Sequence, residues 1–459
     1  MKGKLKQIAA AGLALCMVFG LAACGGGEDP ADASAVKLTM YMYQPEDWAV
    51  DYVQDTIAAF NEEYKGKIKV DPKFFFGTQY NANLASAIEN GNCPDIFTLS
   101  NSNLAANVQN GYLEPLNDYF KQEQWDDVIP QAMEQIKFND DIYAYPWYME
   151  PSTFLFYRKD IVEDELGFTA EDLMTYEGIY EVCRAMVNQN KVPRAGFPMY
   201  IPVGIPRGWA TIGMQYNCME GKYAVSDDWT TSNLNEQGMK DLNEFYFTIG
   251  SNGWCPQQDM TERGYEDAVV GLCEEYWLMN LGGSWDITVI MRDYPEMKDK
   301  IGIVPAPTST QERNGYEYTT ATNGGWNFVI SSDSSSTKKQ AAATFIKFVM
   351  TDNVERTAQY FIDSYNSRFA TTKTVQAYLD TVETETPSEW LDIVATVAEL
   401  GIPEPRYSWD IINLVNDMLS LSMACGRGSD FNTEYSKILA DANAKMQTIL
   451  NRGEVNPFI

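Results

Sequence analysis

The chain has 459 residues, 45% of them apolar and 21% charged, which suits two or three globular domains with sizeable cores. Lys and Arg number 34 against 64 Asp and Glu, giving a net charge of −30, and histidine is absent. These values exclude bulk attraction to nucleic acid phosphates and any Ser-His-Asp or Cys-His relay, and the commonest ligand for catalytic zinc or non-haem iron is missing.

In chain order, Lys2, Lys4 and Lys6 precede an apolar run from Ile8 to Ala23, which is short of the ~20 residues of a membrane span. The run ends in Leu21-Ala22-Ala23-Cys24, followed by Gly25-Gly26-Gly27. This looks like a bacterial lipobox. The resemblance implies cleavage before Cys24 and lipid on its sulfur; the other reading is an ordinary signal peptide with an incidental cysteine. Residues 24–35 read as a flexible tether, and the lipid is expected to be the only attachment to the membrane. Six cysteines follow Cys24, with no CxxC pair. A Cys218–Cys255 or Cys255–Cys273 bridge and free buried thiols are both open.

Lys37–Tyr43 is a strand, Asp51–Tyr64 an amphipathic helix and Lys67–Phe76 a second strand. Tyr80–Asn90 is helical up to Gly91, Asp95–Leu99 is a short buried strand, Ser100–Asn103 a loop, and Leu104–Gln109 helical. This β-α-β-α-β-α order predicts a parallel sheet covered by helices, with ligand beyond the carboxyl ends of its strands. Asp141–Asp160 contains two strand-like runs around Pro146 and Pro151. Thr169 and Asp172 form a capping box that opens a helical region reaching Met186. Residues 195–235 are rich in Gly, Trp and Tyr. Glu266–Met279 is a helix or strand running into Asn280–Asp286, and Ile301–Pro307 is a strand with its exit. Gly324-Gly325-Trp326 leads into the strand Asn327–Ile330. Thr337 and Gln340 cap a helix whose apolar face carries Phe345, Phe348 and Val349. Arg406–Cys425 and Asn432–Leu450 are closing helices.

Several blocks occur together in a fixed order. They are the lipobox, Pro94-Asp95-Ile96-Phe97, Gly111–Leu116, Ala144–Pro146 with Tyr157–Asp160, Gly282-Gly283-Ser284-Trp285-Asp286, Ile303–Pro307 and Gly324-Gly325-Trp326. Through this set nearly the whole mature chain resembles the solute-binding proteins of ABC importers, in the carbohydrate branch that includes maltose-binding protein. The resemblance implies an α/β, two-lobed periplasmic-binding-protein-like fold whose hinge the chain crosses three times. It implies a non-enzymatic, monomeric receptor for a mono- or oligosaccharide that delivers its ligand to an ABC permease, without cofactor or nucleic acid partner. The crossings are expected near Tyr148–Pro151, Ala306–Asn323 and Asp363–Ala370. Lobe one is then 36–149 plus 307–365, and lobe two 150–306 plus 366–459.

Sugars stack their C–H faces on aromatic rings and hydrogen-bond their hydroxyls to carboxylates, amides and guanidinium groups. The 13% aromatic content, with 11 Trp and 27 Tyr, fits that chemistry and equally fits a Tyr-rich core. Trp285, after two glycines at a strand end, is the first candidate for a stacking ring, with Asp286 beside it. Gln44, Glu46, Asp47 and Trp48 follow the first strand, and Asn101 and Ser102 follow the third. Tyr148 and Glu150 lie at the first hinge crossing. Trp209, Trp326, Arg406, Tyr407 and Trp409 complete the aromatic and hydrogen-bonding candidates. Arg368 is either a ligand contact or an interlobe salt bridge. Asp95 reads as structural.

Two other readings use the same residues. An exported glycoside hydrolase needs only two carboxylates, which Glu274-Glu275, Glu150 and Asp286 could supply. A receptor of the same fold could carry a non-sugar or uronate cargo, the latter through Arg207, Arg368 and Arg406.

Overall fold

The structure is a computed structural model that describes residues 34–44, 47–192, 196–203, 210–219, 222–256, 266–309, 322–404 and 409–453. The expected export signal, Cys24 and the tether up to Ala33 lie outside the described residues. Among the described residues no helix is long and apolar enough to cross a membrane.

Eleven strands are described. They are β1 (Val36–Gln44), β2 (Ile68–Phe76), β3 (Ile96–Ser100), the short pair β4 (Lys137–Phe138) and β5 (Asp141–Ile142), and β6 (Tyr145–Arg158). Then come β7 (Met279–Gly283), β8 (Ile301–Pro305), β9 (Thr322–Ile330), β10 (Phe369–Ala370) and β11 (Ile402–Pro403). Nine of them form one sheet, in the order β10-β6-β9-β3-β1-β2, with β7 and β8 added on β6 and β11 on β9. β1 lies parallel to both β2 and β3, as the alternation of strands and helices predicts. β9 returns antiparallel to β3, Ile96 opposite Ile330.

β6 is the spine of the molecule. Its first half, Tyr145–Ser152, pairs with β9, and its second half, Ser152–Arg158, pairs with β7 and β8. Ser152 is opposite both Thr322 and Gly283, so the strand changes partners at that residue. The sequence pattern suggested two runs interrupted at the prolines. One continuous strand forms instead, because at Pro146 and Pro151 the ladder partner is β9 alone. β10 reaches only Tyr148 and Met149, so a missing N–H on the other side costs no ladder bond.

The hydrophobic clusters divide along this spine. One gathers β1, β2, β3, the first half of β6 and β9 under the helices Asp47–Glu63, Ser336–Met350 and Val354–Asp363. The other two lie on the second half of β6 with β7 and β8, under the helices Tyr176–Asn188, Gln237–Asn252, Asp286–Asp293, Ser388–Leu400, Trp409–Met423 and Phe431–Leu450. These are the two lobes. The first cluster also takes in Ala370, Val375 and Leu379, whereas Trp390, Val394 and Val397 belong to the second side.

Local differences from the expected elements have simple causes. The helix after β3 begins at Asn101 with Ser100 as N-cap, so Asn101 and Ser102 form its first turn rather than a loop. The region Glu266–Met279 is both predicted types in succession: a helix to Cys273, then β7. Thr169 and Asp172 do form their reciprocal bonds, at 2.9 Å between side chains, but these start a 3-10 turn; the helix proper is capped by Thr175. Ser335, not Thr337, caps the helix Ser336–Met350. The six described cysteines Cys93, Cys183, Cys218, Cys255, Cys273 and Cys425 are free thiols, so neither suggested bridge is present. Burial pushes the Cys255 and Cys273 thiols up to about 12, leaving them inert.

Candidate ligand-binding site at the lobe crossing

Four segments meet where the chain passes between lobes: the carboxyl ends of β1 and β3, the middle of β6 with β9, the segment Ser364–Ala370, and the turn from β7 into Asp286–Asp293. Ligands of open α/β sheets bind beyond strand carboxyl ends.

Gly325 is the packing key. It sits opposite Met149, and a Cβ there would come within 2.3 Å of the Tyr148 carbonyl oxygen and 3.3 Å of Asn101 Nδ2. The glycine thus lets β6 and the start of the Asn101 helix close on β9. Next to it, Trp326 is half-buried and stacks face to face on Tyr43, with centroids 4.0 Å apart and planes 8° apart. Tyr80 meets the same indole edge-on at 6.0 Å. This gives a rigid, partly exposed pair of rings at the carboxyl end of β1.

Asn101 is buried, and its side chain is already used. Its Oδ1 accepts from Asn327 Nδ2 at 2.7 Å and its Nδ2 donates to Gln135. Ser102 is buried beside it, with its hydroxyl 3.0 Å from Ser100 Oγ. Glu404, which is 4% exposed, is buried beside Ser102. Burial raises the Glu404 carboxyl well above the usual range; the Ser102 N–H bond opposes this and the Glu150 charge adds to it.

Arg368 is the charged centre of the crossing. Its Nε donates to Glu150 Oε2 at 3.2 Å, with the Arg368 side chain 1% and the Glu150 side chain 13% exposed. The guanidinium carbon lies 5.3 Å from the Tyr148 ring centre and 5.6 Å from that of Trp48. Tyr148 is fully buried and packs on Tyr360 at 5.3 Å, which Trp48 also meets at 5.2 Å. The preceding Ser367 hydroxyl is 2.7 Å from Thr288 Oγ1, and Thr288 also donates to the Ser364 carbonyl at 3.0 Å. Ser364–Arg368 is therefore bonded to both lobes. Tyr365 and Asn366 within it are in the left-handed region, at φ 55° each.

On the second lobe, Trp285 ends the turn after β7 and is half-exposed. Its ring lies over Gly283, where a Cβ would come within 2.2 Å of it, and Gly283 is opposite Ser152 at the crossing. The neighbouring Ser284 N–H donates to the Pro151 carbonyl at 3.1 Å. Asp286 is buried; its Oδ2 folds back to within 1.9 Å of where a Gly282 Cβ would stand and lies 3.5 Å from Asn280 Nδ2. The two glycines thus seat Trp285 and Asp286 against β7.

Of the sequence candidates, Trp48, Tyr148, Glu150 and Arg368 come together, as do Asn101 and Ser102 near Trp326; Trp285 lies across the crossing. Gln44 ends β1 and Asp47 and Trp409 open helices. Glu46, Trp209, Arg406 and Tyr407, together with Arg207, lie outside the described residues. Glu274 and Glu275 stand on the surface after the helix Glu266–Cys273, where Glu275 is bound by Arg158 at 2.8 Å. Among the described residues no group of three His, Cys, Asp or Glu side chains could hold a metal. Asp95 clamps β3 to β1 and to the helix Ser336–Met350, through Thr39 N at 2.9 Å, Ser334 Oγ at 2.7 Å and Lys338 Nζ at 2.9 Å. Burial pushes its carboxyl up, but the Ser334 and Lys338 bonds more than offset this and hold it below the usual range.

Sequence reasoning missed Tyr43, Gln135, Tyr360 and Glu404. Tyr43 is signalled weakly, as the last aromatic of the β1 alternation. Glu404 stands between two prolines with no periodic pattern around it.

The diacetylchitobiose binding protein DasA of Streptomyces coelicolor is 25% identical over 369 residues, covering 77% of this chain and 79% of that protein. The maltose-bound MalE3 of T. maritima superposes with a TM-score of 0.71 at 18% identity, covering 91% of this chain and 100% of that one. The maltotriose binding protein of Thermus thermophilus, bound with maltotriose, gives 0.67 at 16% identity, covering 90% and 100%. Both confirm the two-lobed fold. A family model described as bacterial extracellular solute-binding protein matches residues 55–389, the greater part of the chain, and the protein belongs to that family of binding proteins.

Proposed function

We propose that this protein captures an oligosaccharide between its lobes and hands it to an ABC permease. The observation that carries the reading is the arrangement at the crossing. The partly buried stacked rings Tyr43–Trp326 and the partly buried Trp285 flank a charged centre of Glu150 and Arg368. Aromatic faces with a few fixed polar groups are what a sugar offers partners for. The sugars named for the relatives support the same reading. Gln44, Glu46, Asp47, Trp209, Arg406, Tyr407 and Trp409 are proposed as further contacts on the strength of the family resemblance. The physics is that of a two-state hinge: ligand that touches both lobes favours the closed form by its differential contacts.

On this reading lobe one runs from β1 to the middle of β6 and resumes from β9 to about Leu379. Lobe two takes the rest of β6 to β8 and the chain from about Trp390 onward. The protein acts as a monomer outside the cytoplasm, held at the membrane by lipid on Cys24. A panel of oligosaccharides titrated against intrinsic tryptophan fluorescence, with small-angle scattering of the same samples, tests the reading. At least one sugar should shift the emission and reduce the radius of gyration. A folded protein that no sugar in the panel compacts would refute it.

A further inference from the structure

A cavity of about 560 Å³ opens on the first lobe, and none of its lining residues belongs to the lobe crossing. Its walls are the helix Gln122–Asp127, the junction between the helices Ser336–Met350 and Val354–Asp363, and the start of the helix Lys373–Leu379. Among the described residues, the acids Glu123, Asp126, Asp127 and Asp352 line it against one base, Lys121, which Glu123 holds at 3.3 Å. The other three carboxylates each give one oxygen to a neutral donor. Asp126 Oδ1 accepts from Gln122 Nε2 at 2.8 Å, and Asp352 Oδ1 accepts from the Thr351 hydroxyl at 3.1 Å. Asp127 Oδ1 accepts from the Thr374 N–H at 3.0 Å and its hydroxyl at 2.8 Å. Two lysines stand close by without pairing with these acids. Lys373 Nζ donates to the Asp126 carbonyl at 2.6 Å, and Lys347 lies over the Phe120 ring at 5.3 Å. Among the described residues no ion pair includes Asp126, Asp127 or Asp352.

Beneath the acids the floor is formed by Tyr145, Met350 and Val375, all buried. Tyr145 is 0% exposed, and among the described residues its hydroxyl has no hydrogen-bond partner. The ring packs against Phe120 and Trp125, with centroids 4.9 and 5.4 Å away. Burial, and then the nearby Asp127 charge, push this phenol above its ordinary range, so the hydroxyl stays protonated and lies on the acidic side of the cavity. A buried hydroxyl costs stability until something meets it. Among the described residues no three acids converge closely enough to hold a metal ion. Separate carboxylates around an apolar floor suit separate positive charges joined by methylene groups, because the stem covers the floor while each charge finds its own partner.

We propose that this cavity is a second ligand site, for a linear polyamine, whose ammonium groups pair with Asp126, Asp127 and Asp352 while its methylenes cover Met350 and Val375 and Tyr145 Oη accepts one N–H. The site is independent of the oligosaccharide reading. An occupant ties the segment that leaves β10 to the helix Gln122–Asp127, and so stabilises the first lobe by mass action.

The test is calorimetry of spermidine against the purified full chain at physiological salt, with thermal unfolding of the same samples at matched ionic strength. Spermidine should bind saturably at one site and raise the unfolding temperature more than sodium or magnesium chloride does. The double variant Asp126→Asn/Asp352→Asn keeps the acceptors for Gln122 and Thr351 and should weaken spermidine about tenfold. Glu171→Gln/Glu181→Gln removes the same charge from exposed positions on the second lobe and should leave the affinity unchanged. Tyr145→Phe loses only an unpartnered hydroxyl, so it should unfold no earlier than wild type while weakening spermidine about threefold. Absence of saturable binding overturns the proposal. Equal weakening by the second-lobe pair also overturns it, since the attraction is then only that of an acidic surface. So does magnesium binding as tight as spermidine, or a folded Tyr145→Phe with unchanged affinity. A trilysine peptide that binds more tightly than spermidine overturns it in favour of a basic protein segment.

Discussion

Replacing Arg368 by Met removes the guanidinium that pairs with Glu150 and leaves Glu150 near Glu404. The ion pair is at 3.2 Å, with its arginine 1% exposed. At an effective dielectric of ~20, two charges at that distance attract by about 5 kcal/mol, part of which desolvation cancels. Removing one partner of such a buried pair costs about 3–5 kcal/mol, because the remaining charge is stranded. The loss of the guanidinium from between Tyr148 and Trp48 adds about 1 kcal/mol. Glu150→Gln should cost less, since Arg368 keeps its two rings. The double variant should recover about 2 kcal/mol relative to Arg368→Met alone. Urea unfolding of the four proteins, analysed as a cycle, measures this. An Arg368→Met variant within 1 kcal/mol of wild type, or a double variant no more stable than that single one, would refute the argument that an uncompensated acid dominates the site.

Other expectations follow from the same geometry. Gly325→Ala forces a methyl toward the Tyr148 carbonyl at 2.3 Å and should destabilise by about 3 kcal/mol, visible as a lower urea midpoint. Trp326→Ala removes the ring stacked on Tyr43 and should weaken sugar binding by about tenfold with little change in fold, measured by calorimetry and circular dichroism. The Asp95 carboxyl is held below its usual range in the folded state, so its contribution is fully present above about pH 4 and is lost as pH falls further; Asp95→Asn should flatten acid unfolding there. Glu404 has the opposite sign: its raised carboxyl favours the folded state at low pH, and stability drops as pH rises above about 4.5. Glu404→Gln should remove that slope, and thermal unfolding between pH 4 and 8 decides it.

The first βαβ units and the two-lobed fold were legible because period-2 and period-3.6 patterns, glycine stops and the order of short blocks all agreed. Gly324-Gly325-Trp326 and Gly282-Gly283-Ser284-Trp285 stood out for their tryptophans; the structure adds what the glycines do, with the Tyr148 carbonyl oxygen against Gly325 and an indole over Gly283. What the chain could not reveal was which polar groups were already spoken for. Asn101 looked available in a loop, but it opens a helix and is bonded on both sides by Gln135 and Asn327. Asp286 looked like a partner for Trp285, but it folds onto its own strand. Glu404 was invisible because its neighbours Ser102 and Glu150 are distant in sequence and are brought to it by the pairing of β11 with β9. The helices Ser388–Leu400 and Gln237–Asn252 were missed although Trp390, Val394 and Val397 in one, and Met239, Leu242, Tyr246 and Ile249 in the other, recur at helical spacing and are buried.

The spine strand has a consequence for how the chain acquires its shape. β3 emerges early, but its antiparallel neighbour is β9, and Ile96 must wait for Ile330. Until then the edge of the first half-sheet stays open, and most of the second lobe has to be made or exported before it can close. Such long sequence separations slow folding and expose unpaired backbone to neighbouring chains. A chain cut in the second lobe between β6 and β9 leaves the first without β9, so neither lobe is inherited whole by either fragment. Fragment complementation, rather than independent expression, is the route by which two pieces of this protein would regain structure.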